Sequence, residues 1–500
     1  MIEERASGIL LHPTSLPGKY GIGTLGKAAT DFIDFLVRSK QKYWQILPLG
    51  PTGYADSPYQ CYSAHAGNPN LIDLEILVKE RLLSFEDLNE FPVSDNGPVD
   101  FDMVQKARKP FLYKAYKNFS ERNDPTAKLK FRNFLKENYS WLNDYALFVA
   151  IKNNLEFKPW YDWEEDIKKR QPEALKHYED LVRDEIDYNK FTQYIFFRQW
   201  TSVKEYAHQR SVRIIGDIPL YISPDSADAW TNPGIFEYDE ELNPIHVGGV
   251  PPDYFSETGQ LWGNPLFRWE EKTEEVFRWW ADRIQSNLNM FDIIRIDHFR
   301  GFAAYWAVPY GETTAINGNW VDGPGKEFFT AMVERLGNLP VIAEDLGVIT
   351  PDVEELRDEF GFPGMKVLEF AFDSAETNDY LPFNYTKNCI VYTGTHDNDT
   401  VKGWFAAASD SDRACTLNYL NTTGEDIHWD MIRLALSSVA NTAIIPLQDL
   451  LGLDSSGRMN VPGTTNNNWR WRALTEDFTD ELAAKLAKLT VLFGRYNEGK

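Results

Sequence analysis

A chain of 500 residues with 43% hydrophobic content can bury a large core, enough for one barrel with insertions or for about two to three ordinary domains. Its formal net charge of -24 excludes a polyanionic partner, because nucleic acid and anionic membrane surfaces attract basic patches and are repelled by this surface. The 3 cysteines, Cys61, Cys389 and Cys415, offer neither a disulfide framework nor a CxxC metal knuckle, the start Met1-Ile2-Glu3-Glu4-Arg5 is no secretory leader, and no apolar run approaches the ~20 residues of a membrane span, so a soluble cytoplasmic protein is expected.

Short apolar runs of strand length recur at residues 8–12, 43–47, 212–218, 291–296, 340–343, 366–372, 389–393 and 443–446. They are mostly apolar rather than strictly alternating, the pattern of strands buried on both faces of a parallel sheet. Segments of helical period lie between most of them. Phe32, Phe35 and Leu36 form the first stripe. The interval from the second run to the third is far longer than one crossover helix needs. It carries the stripes Val104, Ala107, Phe111, Ala115, Phe119 and Leu142, Tyr145, Phe148, Val149, which predict a mostly helical inserted subdomain over residues 66–205. Residues 1–65 and 206–500 are left for the barrel. Within them, 220–290 include a second insertion, in which Gly248, Gly249, Pro251, Pro252 and Gly259 bracket Tyr254 and Phe255 and predict a lid.

Trp280, Ile284 and Leu288 form the next stripe. After the run ending in Ala343, Thr350 is a candidate cap and Pro351 a first-turn residue for a helix carrying Val353, Leu356 and Phe360 inward. Ile432, Leu436 and Val439 form the last. Strand and helix alternating about eight times predict an α/β fold, a (β/α)8 TIM barrel with helical insertions at its C-terminal face. About fifty residues follow the eighth run without alternating strands, so no C-terminal β-sandwich domain is expected.

Three of the runs end in acids: Arg295-Ile296-Asp297-His298, Ala343-Glu344-Asp345 and Thr395-His396-Asp397-Asn398-Asp399. A strand end of a parallel barrel places such a charge at the open mouth, where several converge on one cleft. Cleaving a glycosidic bond with retention needs a nucleophilic carboxylate and a protonated carboxyl about 5 to 5.5 Å apart. Asp297 follows Arg295 by two positions, so both side chains leave the strand on one side and the guanidinium favours the ionised acid. The competing reading is a salt bridge plugging the mouth. Glu344 has the apolar flank that raises a carboxyl, as a general acid requires, or else it is a structural partner for an arginine; Asp345 points elsewhere.

Asp397 is read as a holder of sugar hydroxyls near the oxocarbenium-like transition state. A cation loop is the alternative, but the ligand spacing of calcium or zinc sites is missing. His298 and His396 are read as hydrogen-bond donors to hydroxyls, against the structural role a single His more often has. Asp217 is a fourth strand-end acid. The loop after the second run carries Tyr54 and Tyr59 as ring-stacking surfaces, in a chain with 16 Trp and 24 Tyr, most of them core.

With these motifs in order, the chain resembles the 4-α-glucanotransferases of the amylomaltase (disproportionating enzyme) family, a branch of the α-amylase superfamily. The resemblance runs from Leu11-His12-Pro13-Thr14-Ser15-Leu16-Pro17-Gly18 through the lid segment to Gly463 and Asn468-Trp469-Arg470-Trp471. It implies a retaining double displacement on α-1,4-glucans without metal or other cofactor, with Asp297 as nucleophile, Glu344 as acid/base and Asp397 as transition-state stabiliser. It also implies that Tyr59, Asp217, Arg295, His298 and His396 line the cleaved subsite, that Tyr254, Phe255 and Trp262 lie in or beside the lid, that Asn468 binds substrate, and that Tyr54 serves a secondary glucan site. The partners implied are maltooligosaccharides, amylose and starch or glycogen fragments, handled by a monomer or homodimer. An amylase-type hydrolase with the same acids, a catalytically silent glycan-binding barrel and a metal-dependent barrel hydrolase are the rival readings.

Overall fold

The structure, a computed structural model, describes residues 4–92, 97–252, 256–373 and 378–496. Its strands are β1 (Ala6–Leu10), β2 (Tyr43–Gln45), β3 (Arg213–Pro219), β4 (His246–Val250), β5 (Gln260–Pro265), β6 (Ile293–Asp297), β7 (Ala304–Pro309), β8 (Asn319–Asp322), β9 (Val341–Ala343), β10 (Gly364–Val367), β11 (Cys389–Tyr392) and β12 (Thr442–Pro446). Eight of them form one parallel sheet in the order β10-β11-β12-β1-β2-β3-β6-β9. The Ala343 amide donates to the Pro363 carbonyl at 2.9 Å, which brings β9 alongside β10 and closes the ring. This is a (β/α)8 TIM barrel.

Alternation along each strand sorts the core into two layers. Tyr43, Ile215, Ile293, Ile342, Met365, Ile390, Tyr392 and Ile444 fill the interior. Their sequence neighbours Trp44, Ile214, Ile294, Val341, Val391 and Ala443 face the surrounding helices. Both faces are apolar because both are covered, which is why the runs read as continuous. Three expectations shift at their ends. The run at 366–372 is strand only as far as Val367, and Leu368–Phe370 turn in a 3-10 helix because β11, their neighbour, also ends at Tyr392. Val439 lies beyond the helix Ile427–Ser437 and is exposed. Thr350 sits at the N-cap of Pro351–Glu359, yet its side chain makes no capping bond.

Between β2 and β3 the chain is mostly helical, with long helices Phe101–Glu121, Tyr139–Asn154 and Arg183–His208. Their apolar faces join the same cluster as the outside of the barrel, except that Phe101 and Val104 at the start of the first pack with the residues of the barrel interior. The segments after β3 and β6 contribute a four-stranded antiparallel sheet, β5-β4-β7-β8, which the sequence reading did not foresee. Its β5 carries Trp262 to the mouth. After β12 the described residues form helices and loops, ending in Asp480–Leu492.

Candidate active site

Parallel register assembles the acids. On β3 and β6, Asp217 pairs with Arg295 and Pro219 with Asp297; on β6 and β9, Ile296 pairs with Ala343, so the next step sets Glu344 beside Asp297. Inward-facing Ile215 and Ile293 fix the phase, and two-residue alternation turns Asp217, Arg295 and Asp297 into the barrel opening. There Arg295 is a bridge: Nη1 donates to Asp217 Oδ2 at 2.7 Å and Nη2 to Asp297 Oδ1 at 2.9 Å. Its side chain is 4% exposed and that of Asp217 0%, whereas Asp297 keeps 29% open to the cleft.

Glu344 is bound at both oxygens, Oε2 by the His298 amide at 2.6 Å and Oε1 by the Leu346 amide at 3.0 Å. His298 directly follows Asp297 and has left-handed backbone, φ 55 and ψ 47, a sparsely populated state for a non-glycine residue. That twist aims its amide at Glu344. Burial and then the negative charge of Asp297 push the Glu344 carboxyl up to about 8, against the downward pull of Arg295 and the two amides. Burial, with Asp297 adding to it, likewise holds Asp217 up, at about 7, against Arg295 and Tyr59. Asp345 turns away, accepting from Arg357 Nη1 at 2.5 Å and the Met365 amide at 2.7 Å.

A second chain of contacts reaches the third acid. Tyr59 donates to Asp217 Oδ2 at 2.8 Å and meets His396 Nε2 at 2.9 Å, its ring stacked on the imidazole at 15°. His396 Nε2 stands 3.4 Å from Asp397 Oδ2. Asp397, with 46% of its side chain open, is steadied by Asn460 Nδ2 at 2.7 Å. Burial pulls His396 down and His298 down to about 3, so both imidazoles are neutral at pH 7. Trp262 meets His298 in a T-shaped contact at 4.8 Å.

Asp297, Glu344, Asp397, Tyr59, Asp217, Arg295, His298, His396 and Trp262 thus come together. Asn468 does not join their network: its amide is taken up at both ends by its own loop, through the Val461 amide and Thr464. Tyr54 lies on the loop after β2 and is 73% exposed. Tyr254 and Phe255 lie outside the described residues. Among the described residues no group of three or more His, Cys, Asp or Glu is arranged to hold a metal ion. Sequence reasoning missed Asn460 and Arg458, whose Nη2 donates to the Asp397 carbonyl at 2.9 Å, and it assigned no role to Trp469, which has left-handed backbone (φ 67) and packs on Tyr59 and His396.

The Arg295 bridge makes a stability prediction. Arg295→Met leaves Asp217 and Asp297 facing each other without a cation, and about 3 to 5 kcal/mol of stability is expected to be lost. Removing the cation raises the folded-state affinity of Asp217 for its proton, so the loss is smallest near the unfolded carboxyl value of about 4 and grows as pH rises past 7. Urea midpoints at pH 5 and pH 8 check this; equal losses at both would refute it.

Comparison with known proteins bears on the family of the whole chain. Residues 11–476 match a family model described as 4-alpha-glucanotransferase, glycoside hydrolase family 77. A 4-alpha-glucanotransferase of Synechocystis sp. is 52% identical over 99% of this chain and 99% of that protein, and one of Clostridium butyricum is 48% identical over 97% and 100%. The crystallised amylomaltase of Streptococcus agalactiae, solved with acarbose, superposes with a TM-score of 0.95 at 43% identity, covering 99% of this chain and 100% of its own. Fold and full-length similarity coincide, and the chain belongs to the 4-alpha-glucanotransferase family, glycoside hydrolase family 77.

Proposed function

We propose that the protein moves α-1,4-glucan segments between maltooligosaccharides by a retaining double displacement through a glycosyl ester on Asp297. The observation that carries this is the Asp297–Glu344 pairing, one acid held by a guanidinium and open to the cleft, the other kept protonated by burial and by its neighbour's charge. Asp297 Oδ attacks the anomeric carbon as the glycosidic C–O bond breaks, and Glu344 passes its proton to the departing oxygen. In the second step a 4-hydroxyl of the acceptor gives its proton to the Glu344 carboxylate, and its oxygen displaces Asp297. Asp397, tethered by Asn460 and beside the neutral His396, binds hydroxyls of the distorted ring. A sufficiently long donor can supply its own acceptor end, which yields a cyclic product.

Water is the rival acceptor. At about 55 M against millimolar sugar it holds an advantage of roughly 10⁴, or about 5 to 6 kcal/mol, which binding of the acceptor must overcome. Trp262, packed edge-on against His298 at the mouth, is the described aromatic best placed to contribute. Maltotriose alone as substrate tests the reading. Glucose together with maltotetraose and longer chains is expected, and glucose with maltose only would make the protein a hydrolase.

A further inference from the structure

We propose that Trp320, backed by Trp306, is a docking platform for a long α-1,4-glucan outside the catalytic cleft. The inference rests on the glucan reading above and adds a site for the same polymer. Trp306 and Trp320 are register partners on β7 and β8, in T-shaped contact at 5.3 Å. Trp320 is 43% exposed on an edge strand whose four residues are all exposed, and edge strands ordinarily shield such positions with charge. The ring is fixed in place: the Arg300 guanidinium lies 4.0 Å from its centroid, and Arg300 Nη1 is tied to the Val348 carbonyl. Trp306 is fixed too, its indole N–H donating to the Ala315 carbonyl at 2.8 Å. A rigid, half-open indole loses little entropy when a ligand stacks on it.

Two hydrogen-bonded links tie the platform to segments of the cleft. Arg300 stands three residues after Asp297, and Val348 four after Glu344, so the cation beneath Trp320 clips together the loops that carry both acids. On the other side the Ala315 amide donates to the Thr258 carbonyl at 3.0 Å, at the approach to β5 and Trp262. On this proposal a polymer leaving the cleft across this sheet reaches the indole. The occupant is a neutral polysaccharide, since the flat C–H faces of glucose stack on indole while a chain of net charge -24 repels polyanions.

The test uses the full chain in native gels cast with soluble amylose, in the Asp297→Asn background so that the polymer is not consumed. Trp320→Ala is expected to lose most of the amylose-dependent retardation, and Trp320→Tyr to keep part of it. In the active chain Trp320→Ala is expected to raise KM for amylose several-fold at unchanged kcat, with maltotriose turnover unchanged. Retardation equal to the parent's, or retardation lost with Tyr54→Ala and not with Trp320→Ala, overturns the proposal. So does an equal loss on maltotriose, which would put Trp320 inside the cleft. If the parent is a dimer that Trp320→Ala dissociates, the surface belongs to a second copy of the chain. Failure of the parent to process maltotriose would instead sink the reading of function, leaving the gel result to stand alone.

Discussion

Asp297→Asn is expected to lower kcat for maltotriose transfer by about 10⁴-fold or more, the scale on which removal of a catalytic nucleophile acts. The amide has no anionic oxygen to attack the anomeric carbon, and the two acids nearest it are otherwise engaged: Glu344 is bound by two backbone amides, and Asp217 is buried under Arg295 and Tyr59. The fold should survive, because Arg295 keeps its 2.7 Å bond to Asp217 and an Asn carbonyl can still accept from Nη2. Loss of turnover with unchanged circular dichroism and urea midpoint is the expected result. Mass spectrometry of the parent after inactivation by a slow fluorosugar donor should find the label on the peptide containing Asp297. A variant within tenfold of the parent, or a label elsewhere, would remove Asp297 from the mechanism.

The barrel and its acids were legible because both depend on local patterns. Runs such as Ala443–Ile445 and Ile390–Tyr392 are apolar on both faces, and Arg295 and Asp297 share a side through simple alternation. The small sheet was harder. Its β4 contains Gly248 and Gly249, poor strand formers, and every residue of β8 is exposed. Yet Tyr305-Trp306-Ala307-Val308 in β7 is as apolar as any barrel strand. Only the interval after Asp297 tells it apart, since a parallel crossover needs about a dozen residues or more and Ala304 follows far too soon. Asn460 and Arg458 carried no local signal, because their contact with Asp397 joins a late loop to the loop after β11. Asn468 is the converse: a polar residue in a recognisable motif whose bonds serve its own loop.

The second large effect concerns Glu344. Its carboxyl is pushed up to about 8, so it is protonated at pH 7 and gives up its proton as pH passes through that value. The free enzyme therefore loses its acid above about pH 8, and kcat/KM for maltotriose should fall there. Glu344→Gln removes both the acid and this alkaline limb, and a loss of roughly 10² to 10⁴-fold is expected for glucan donors. A glycosyl fluoride, whose leaving group needs no proton, should still form the ester on Asp297 at a rate much nearer the parent's. Stability should move the opposite way. A carboxyl raised in the folded state binds its proton more tightly there than in the unfolded chain, so the native protein loses stability from the unfolded value of about 4.3 up to about 8. Gln cannot ionise, so whatever the substitution costs at one of the two backbone amides, the variant's stability relative to the parent should rise steadily from pH 5 to pH 8. If Glu344→Gln kept the parent's alkaline limb, the proton donor would have to be another group, and the pairing of Asp297 with Glu344 would describe a structural hydrogen-bond site rather than a catalytic one.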